Sequence, residues 1–269
     1  MRGWLASLGH PELPASWQQV AAGHYQLQHG AEAIHVELKQ PRQTRRASVR
    51  AHGQGMVVCV PAGASQRSIH RTLTEFEPWI RGQWARMLEH TVPLLAVHET
   101  STLPLFDASL AVEWIASNRV GIERTGEVLR VAVTPSASSA QIGQALVQFY
   151  ESESRNRLAP LLRSLQDGMP RMPARIRFAR VRSIWGSMNS KGVLTLEQSL
   201  AIAPSYVFEY LVVHELCHLL EMNHSRAFWR HVAARCPQYR DAEAFLKQHG
   251  NQTRMSFDRI TVPERFIWK

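Results

Sequence analysis

Ile34, Val36 and Leu38 alternate with His35, Glu37 and Lys39, the period-2 pattern of a strand with one buried face. The polar run Gln40-Pro41-Arg42-Gln43 follows as a turn. Two short strands are predicted next, over 47–51 and 56–60, joined by His52-Gly53-Gln54-Gly55, whose glycines supply the positive φ of a hairpin. Residues 1–30 carry no comparable pattern and read as an extension of uncertain order. From Ser65, a candidate cap, the spacing becomes helical up to about residue 89. Ile69, Leu73, Phe76 and Ile80 form one face, and Pro78 is expected to kink the helix or start a second segment.

Strand-like alternation returns over 105–133, punctuated by Gly121 and Gly126. A helix over 140–165 follows, capped by Ser138 or Ser139, with Leu146, Phe149, Tyr150, Leu158 and Leu162 facing the core. After a loop over 167–173, residues 176–184 read as one strand. A partner returns over 193–196 across the turn Asn189-Ser190-Lys191-Gly192. Pro204 suits the first turn of a helix reaching about residue 222, Ser225 caps another to about 235, and 241–249 is a last short one. No repeat of fixed period is visible. The expected fold class is α+β, with four regions: the 1–30 extension, a β-rich region with a helix over 31–135, a mainly helical region over 136–250, and an irregular strap over 251–269.

His214 and His218 lie four apart on one of these helices, so both imidazoles project from one face, one turn apart. Two such rings can hold one Zn²⁺ at about 2.0–2.1 Å each. Glu215 projects beside that face and can reach a water on the metal without being a ligand, the H-E-x-x-H arrangement with Glu as general base. A straight helix cannot surround an ion, so a third ligand requires the chain to break and return. Asn223 is read as the left-handed terminator, and His224 directly after it as the third ligand. Glu221 competes for that place. It stands where the H-E-x-x-H-x-x-G-x-x-H pattern has Gly, but it lies beyond His218 along the axis, away from the ion. Cys217, Phe228, Trp229 and Trp185 read as packing residues. Arg226, His231 and Tyr239 are candidates for steadying an oxyanion.

Composition changes this picture little. The net charge is +9 with a pI of about 10.1, which favours anionic surroundings and leaves nucleic acid as a possible partner through a basic surface. Arg42, Arg45, Arg46 and Arg50 form its most compact cluster. Three cysteines, Cys59, Cys217 and Cys236, make no disulfide framework. With no signal-like run at the start and no apolar stretch long enough for a bilayer, the expectation is a cytoplasmic protein with no membrane partner.

The segments Arg182-Ser183-Ile184-Trp185-Gly186-Ser187, Val213-His214-Glu215-Leu216-Cys217-His218, Asn223-His224-Ser225 and Phe228-Trp229, with Leu200 and Pro204 between, resemble the YgjP-like metallopeptidase family, related to the SprT-like and WLM zinc proteases. The likeness extends over about residues 30–250. It implies a zincin-like C-terminal half behind a β-rich N-terminal half, zinc held by His214, His218 and His224, Glu215 as catalytic base, and a peptide or protein substrate. Met188 stands where the family usually has Cys, and Glu197 where it usually has Asn. The alternatives are a nucleic-acid-associated conditional protease and a non-catalytic module stabilised by zinc. The strand over 176–184, or its hairpin partner, is expected to border the cleft, where an exposed edge could hold an extended peptide.

Overall fold

A computed structural model describes residues 13–52, 55–89, 91–181 and 183–267. The chain divides into two compact units, Met1–Thr91 with Glu264–Lys269, and Val92–Pro263.

The first unit is a five-stranded sheet with one helix. Strands β1 (Trp17–Ala21), β2 (His24–His29), β3 (Glu32–Lys39), β4 (Ser48–His52) and β5 (Gly55–Cys59) lie in the order β1-β2-β3-β5-β4. Neighbours are antiparallel except β3 and β5, which run parallel. Residues 17–29 are therefore paired strands, not an extension. Their polar residues hide the alternation of the buried Trp17, Tyr25 and Leu27. Of the predicted connection between β4 and β5, Gly53 and Gln54 lie outside the described residues. Helix α1 (Gln66–Leu88) begins where the Ser65 hydroxyl accepts the Ser68 N–H, and it runs unbroken through Pro78. Pro78 and Thr74, whose carbonyl has lost its partner there, are both exposed, so water can replace the missing bond. Ile80 and Trp84 of the helix are fully buried, as are Leu27, Ile34 and Val58 of the sheet, and Phe266 packs near Trp84.

The second unit opens with a four-stranded sheet, β6 (Thr102–Leu105), β7 (Ala108–Ala116), β8 (Gly121–Thr125) and β9 (Val128–Val133), in the order β6-β7-β9-β8. Here too the middle pair, β7 and β9, is parallel and the outer pairs are antiparallel. Helix α2 (Ser139–Leu165) follows, with a full capping box between Ser138 and Gln141. Leu146, Tyr150 and Leu158 are buried as its spacing predicts.

The remaining elements surround the candidate site. A small sheet, ordered β10-β12-β11, contains β10 (Arg175–Ala179), β11 (Gly186–Met188) and β12 (Val193–Glu197). The predicted strand over 176–184 is thus shorter than expected and runs parallel to β12. The true hairpin partner of β12 is the three-residue β11 at the sheet edge. Helices α3 (Ser205–Cys217), α4 (Arg226–Arg235) and α5 (Tyr239–Thr261) complete the unit. Helix α5 continues well past residue 249, where a short helix and a strap were expected. Gly250 lies inside it, and the Trp185 ring fills the space a Cβ would need, 2.5 Å away. No described helix is long and apolar enough to cross a membrane.

Candidate metal centre

Helix α3 is apolar on nearly every side. Val207, Phe208, Leu211, Val212 and Leu216 are buried with Leu194, Leu196 and Phe228 in the core beneath the site. No hydroxyl at its own N-cap, Pro204, begins the helix; the Asp107 carboxylate, from the β6–β7 turn, accepts the Ser205 N–H at 2.9 Å. Hydrogen bonding to Ser205 holds the Asp107 carboxyl below its ordinary pKa. This fixes the origin of a helix whose last turn carries the predicted chemistry.

The helix ends sooner than expected. His218 is its C-cap, and its N–H bonds to the carbonyls of Glu215 and Leu216. The chain then turns tightly, with Leu220 and Glu221 both donating to the Cys217 carbonyl. Asn223 has no positive φ, so the reversal is made by this tightened turn and not by a left-handed asparagine. Ser225 then caps α4, accepting from Ala227 and Phe228. The loop between these two fixed ends returns His224 to the end of α3.

The ligating atoms of His214, His218 and His224 lie within 4.8 Å of one another, and the Nε2 atoms of His214 and His224 stand 3.1 Å apart. Two nitrogens on one tetrahedral zinc are about 3.3 Å apart, so the spacing fits an ion between them. The Nδ1 of His218 faces the Glu221 carbonyl at 3.3 Å, and a carbonyl can only accept. His218 therefore carries its proton on Nδ1 and leaves Nε2 free. Burial, followed by the neighbouring imidazoles His218 and His224, pushes the pKa of His214 down to about 4, which keeps it neutral, as a metal ligand must be. Phe228 forms the apolar floor, with ring centroids 4.7–4.9 Å from all three imidazoles. Neither Glu221 nor Cys217 joins the cluster. Glu221 contributes its backbone carbonyl, and Cys217 is sealed in the core, where burial raises its thiol to about 11.

Glu215 is 4% exposed, and burial pushes its carboxyl up to about 7, opposed by the hydrogen bond from the Met188 N–H. The close neighbour is β11. A Cβ on Gly186 would come within 2.7 Å of the Glu215 Oε1, so glycine there allows the edge strand to lie directly on the carboxylate. Met188 enters through its backbone N–H, so its departure from the usual Cys leaves that bond intact. Glu197 ends β12 by accepting from Ser199, and Arg254 and Arg180 oppose the rise that burial imposes on its pKa. Arg254 covers the Trp185 ring at 3.6 Å and donates to the Ile184 carbonyl. Arg182 lies outside the described residues. Of the oxyanion candidates, Tyr239 stacks on Trp229, which lies against His214 and His224. Arg226 is exposed in the first turn of α4, and the carbonyl of His231 accepts from Arg235. Sequence reasoning missed Tyr210, although it sits four residues before His214 on the same helical face. Its hydroxyl lies 3.3 Å from the His214 Nδ1.

The family model described as YgjP-like, metallopeptidase domain, matches residues 45–249. The chain belongs to the YgjP-like family. Membership makes it part of a metallopeptidase family and so implies a divalent metal. No curated protein matches the chain. A crystal structure of the metallopeptidase zymogen of Pyrococcus abyssi abylysin is similar at 20% identity, covering 38% of this chain and 95% of that one, with a TM-score of 0.26.

Proposed function

We propose that this YgjP-like chain is a zinc metallopeptidase of the H-E-x-x-H type, with His214, His218 and His224 as the zinc ligands and Glu215 as general base. The single observation carrying the reading is the convergence of three imidazole nitrogens within 4.8 Å of one another at the end of a helix that also carries the buried carboxylate of Glu215. Three neutral nitrogens and no described fourth ligand suit a catalytic site better than a closed structural one. Bound there, zinc would supply a Lewis acid that acidifies water and polarises a carbonyl.

The chain's own residues do the rest. Glu215, with its carboxyl near neutrality, is matched to accept a proton from water and return it to the leaving amine. Phe228 and Trp229 exclude water from the back of the imidazoles. Strand β11 is an edge strand lying against the base, so an extended peptide that paired with it would run past Glu215. Helix, edge strand and returning histidine together support a zincin-like catalytic region over 136–250, with α5 extending its support to Thr261.

The test is metal analysis of the purified protein beside hydrolysis of a casein-like substrate. Glu215→Gln should keep its zinc and lose roughly 10²-fold or more in rate. His224→Ala should lose metal, and Glu221→Ala should not. Wild-type protein without a divalent metal, or a Glu215→Gln variant as active as wild type, would overturn the reading.

A further inference from the structure

Strand β11 has one open edge. The Glu197 N–H bonds to the Trp185 carbonyl at 2.9 Å and the Asn189 N–H to the Val193 carbonyl at 3.2 Å, with Ser187 opposite Thr195 between them. Bonded positions alternate in an antiparallel pair, so residues 185, 187 and 189 face β12, and the backbone of Gly186 and Met188 faces away from it. Gly186 lies directly on Glu215, so a peptide on this edge passes the general base.

The edge runs out at the turn 189–192, which is closed on itself. The Gly192 N–H bonds to the Asn189 carbonyl at 2.9 Å, and the Asn189 side-chain oxygen accepts the Lys191 and Val193 N–H groups at 3.0 and 2.9 Å. The Gly192 carbonyl accepts the Ala174 N–H at 2.9 Å, tying the start of β10 to the turn, and Arg171 donates to the Ser190 carbonyl at 2.9 Å. Three exposed cations are thereby gathered at this end of the sheet: Lys191 on the turn, Arg171 bonded to it, and Arg175 opposite Val193. None of them forms an ion pair with a described acid, whereas Arg155 and Arg157 of α2 are paired with Glu151 and Glu209.

We infer that Lys191, Arg171 and Arg175 form a docking site for an acidic segment of the peptide substrate, selecting acids a few residues N-terminal to the scissile bond. Strand β11 runs from Gly186 toward the turn. A peptide antiparallel to it, the slightly more stable arrangement, therefore brings its N-terminal side over the cations. The backbone bonds of the turn hold two of the three cations in place before a peptide arrives, so acids there gain attraction at little ordering cost, and basic segments are repelled. The cluster continues an edge that pairs with a polypeptide backbone, which a phosphate backbone cannot do. This inference rests on the metallopeptidase reading above and gives that site its substrate class.

The test is fluorescence anisotropy on full-length Glu215→Gln protein with zinc present, which holds a peptide without cutting it. The probes are labelled peptides sharing one uncharged centre, with a run of Asp on the N-terminal side, the same run on the C-terminal side, or Ser in its place. The N-terminal Asp peptide should bind roughly 10-fold tighter than the Ser peptide at low salt. Most of that advantage should vanish at about 1 M salt, where the Debye length is about 3 Å. Lys191→Glu with Arg175→Glu should abolish the preference. Lys191→Glu alone, which removes a side chain in no described bond, should cut it roughly 3-fold without disturbing the turn. Arg42→Glu with Arg45→Glu, an equal change of net charge in the first unit, should leave it intact. Equal binding of the Asp and Ser peptides, a preference for Asp on the C-terminal side, survival of the preference in the Lys191 and Arg175 double variant, or tighter turn-dependent binding of a single-stranded oligonucleotide would each overturn the inference. Wild type that cuts none of these peptides while the turn-dependent binding persists would instead overturn the peptidase reading.

Discussion

The two units repeat one topology. In each, a hairpin, a second hairpin with a parallel central pair, and a long helix follow in order: β2-β3-β5-β4 with α1, and β6-β7-β9-β8 with α2. The same two-residue connection joins the first hairpin of each, and its contents differ. In the first unit it is Gly30-Ala31, with Gly30 at φ +63° and open space around it. In the second it is Phe106-Asp107. Phe106 takes a positive φ of 49°, costly for an aromatic residue, while its ring packs edge-on against Phe208 of α3 and its N–H bonds to the Ala201 carbonyl. Asp107 holds the start of α3. One copy of the motif closes a sheet. The other has turned the same corner into the mount for the helix that carries His214 and Glu215.

The helices differ too, and substitution of one glycine in each should separate them most sharply. Gly143 of α2 is buried, and a Cβ there would collide with the Thr261 carbonyl of α5, so backbone would have to move. Gly143→Ala should cost about 2–3 kcal/mol in denaturant unfolding and weaken metal binding with it. Asp107→Ala should cost about 1 kcal/mol by leaving the first turn of α3 uncapped, read as faster amide exchange in that turn, whereas change at Ala31 should leave α3 untouched. In the opposite direction, Gly82 is exposed on α1 with nothing near its missing Cβ. Gly82→Ala should therefore slow exchange in α1, stabilising it by about 0.5–1 kcal/mol, with no change in metal affinity.

The smallest effect expected concerns pH. Burial holds the pKa of His35 in the first unit below its ordinary value, opposed by its hydrogen bond to the Arg265 carbonyl. Between the lowered folded pKa and the unfolded value of about 6.5, the unfolded chain binds the extra proton. Stability of the first unit should thus fall as pH drops below about 6.5, and His35→Gln should flatten that slope. An unchanged slope in the variant would assign the acid sensitivity elsewhere.

Local signals were readable from the sequence where one residue suffices to set a structure. Ser65 and Ser225 cap the helices their positions predict, Ser138 is the one of the two candidate serines that caps α2, and the spacing of His214, Glu215 and His218 places the first two in the last turn of α3 and the third at its cap. What escaped depends on contacts distant in sequence. The repeated topology resides in strand order, which leaves no periodic residues. Strand β11 is three residues long, too short for alternation, and owes its place to Gly186 lying against Glu215. Gly250 resembles a helix terminator until Trp185 is seen filling its missing side chain. Tyr210 stands in a run of apolar residues, and its role shows only where its hydroxyl faces the His214 Nδ1.

Trp185 and Gly186 are caught between two helices, with Gly250 and Arg254 of α5 on one side and Glu215 of α3 on the other. This peptide works like a shim driven into a joint. Warming that loosens α5 would release the shim first, freeing the Glu215 carboxylate from the Met188 amide while α3 itself stayed wound. Loss of that contact should precede loss of helix on heating, and the gap between the two temperatures measures how tightly the shim is held.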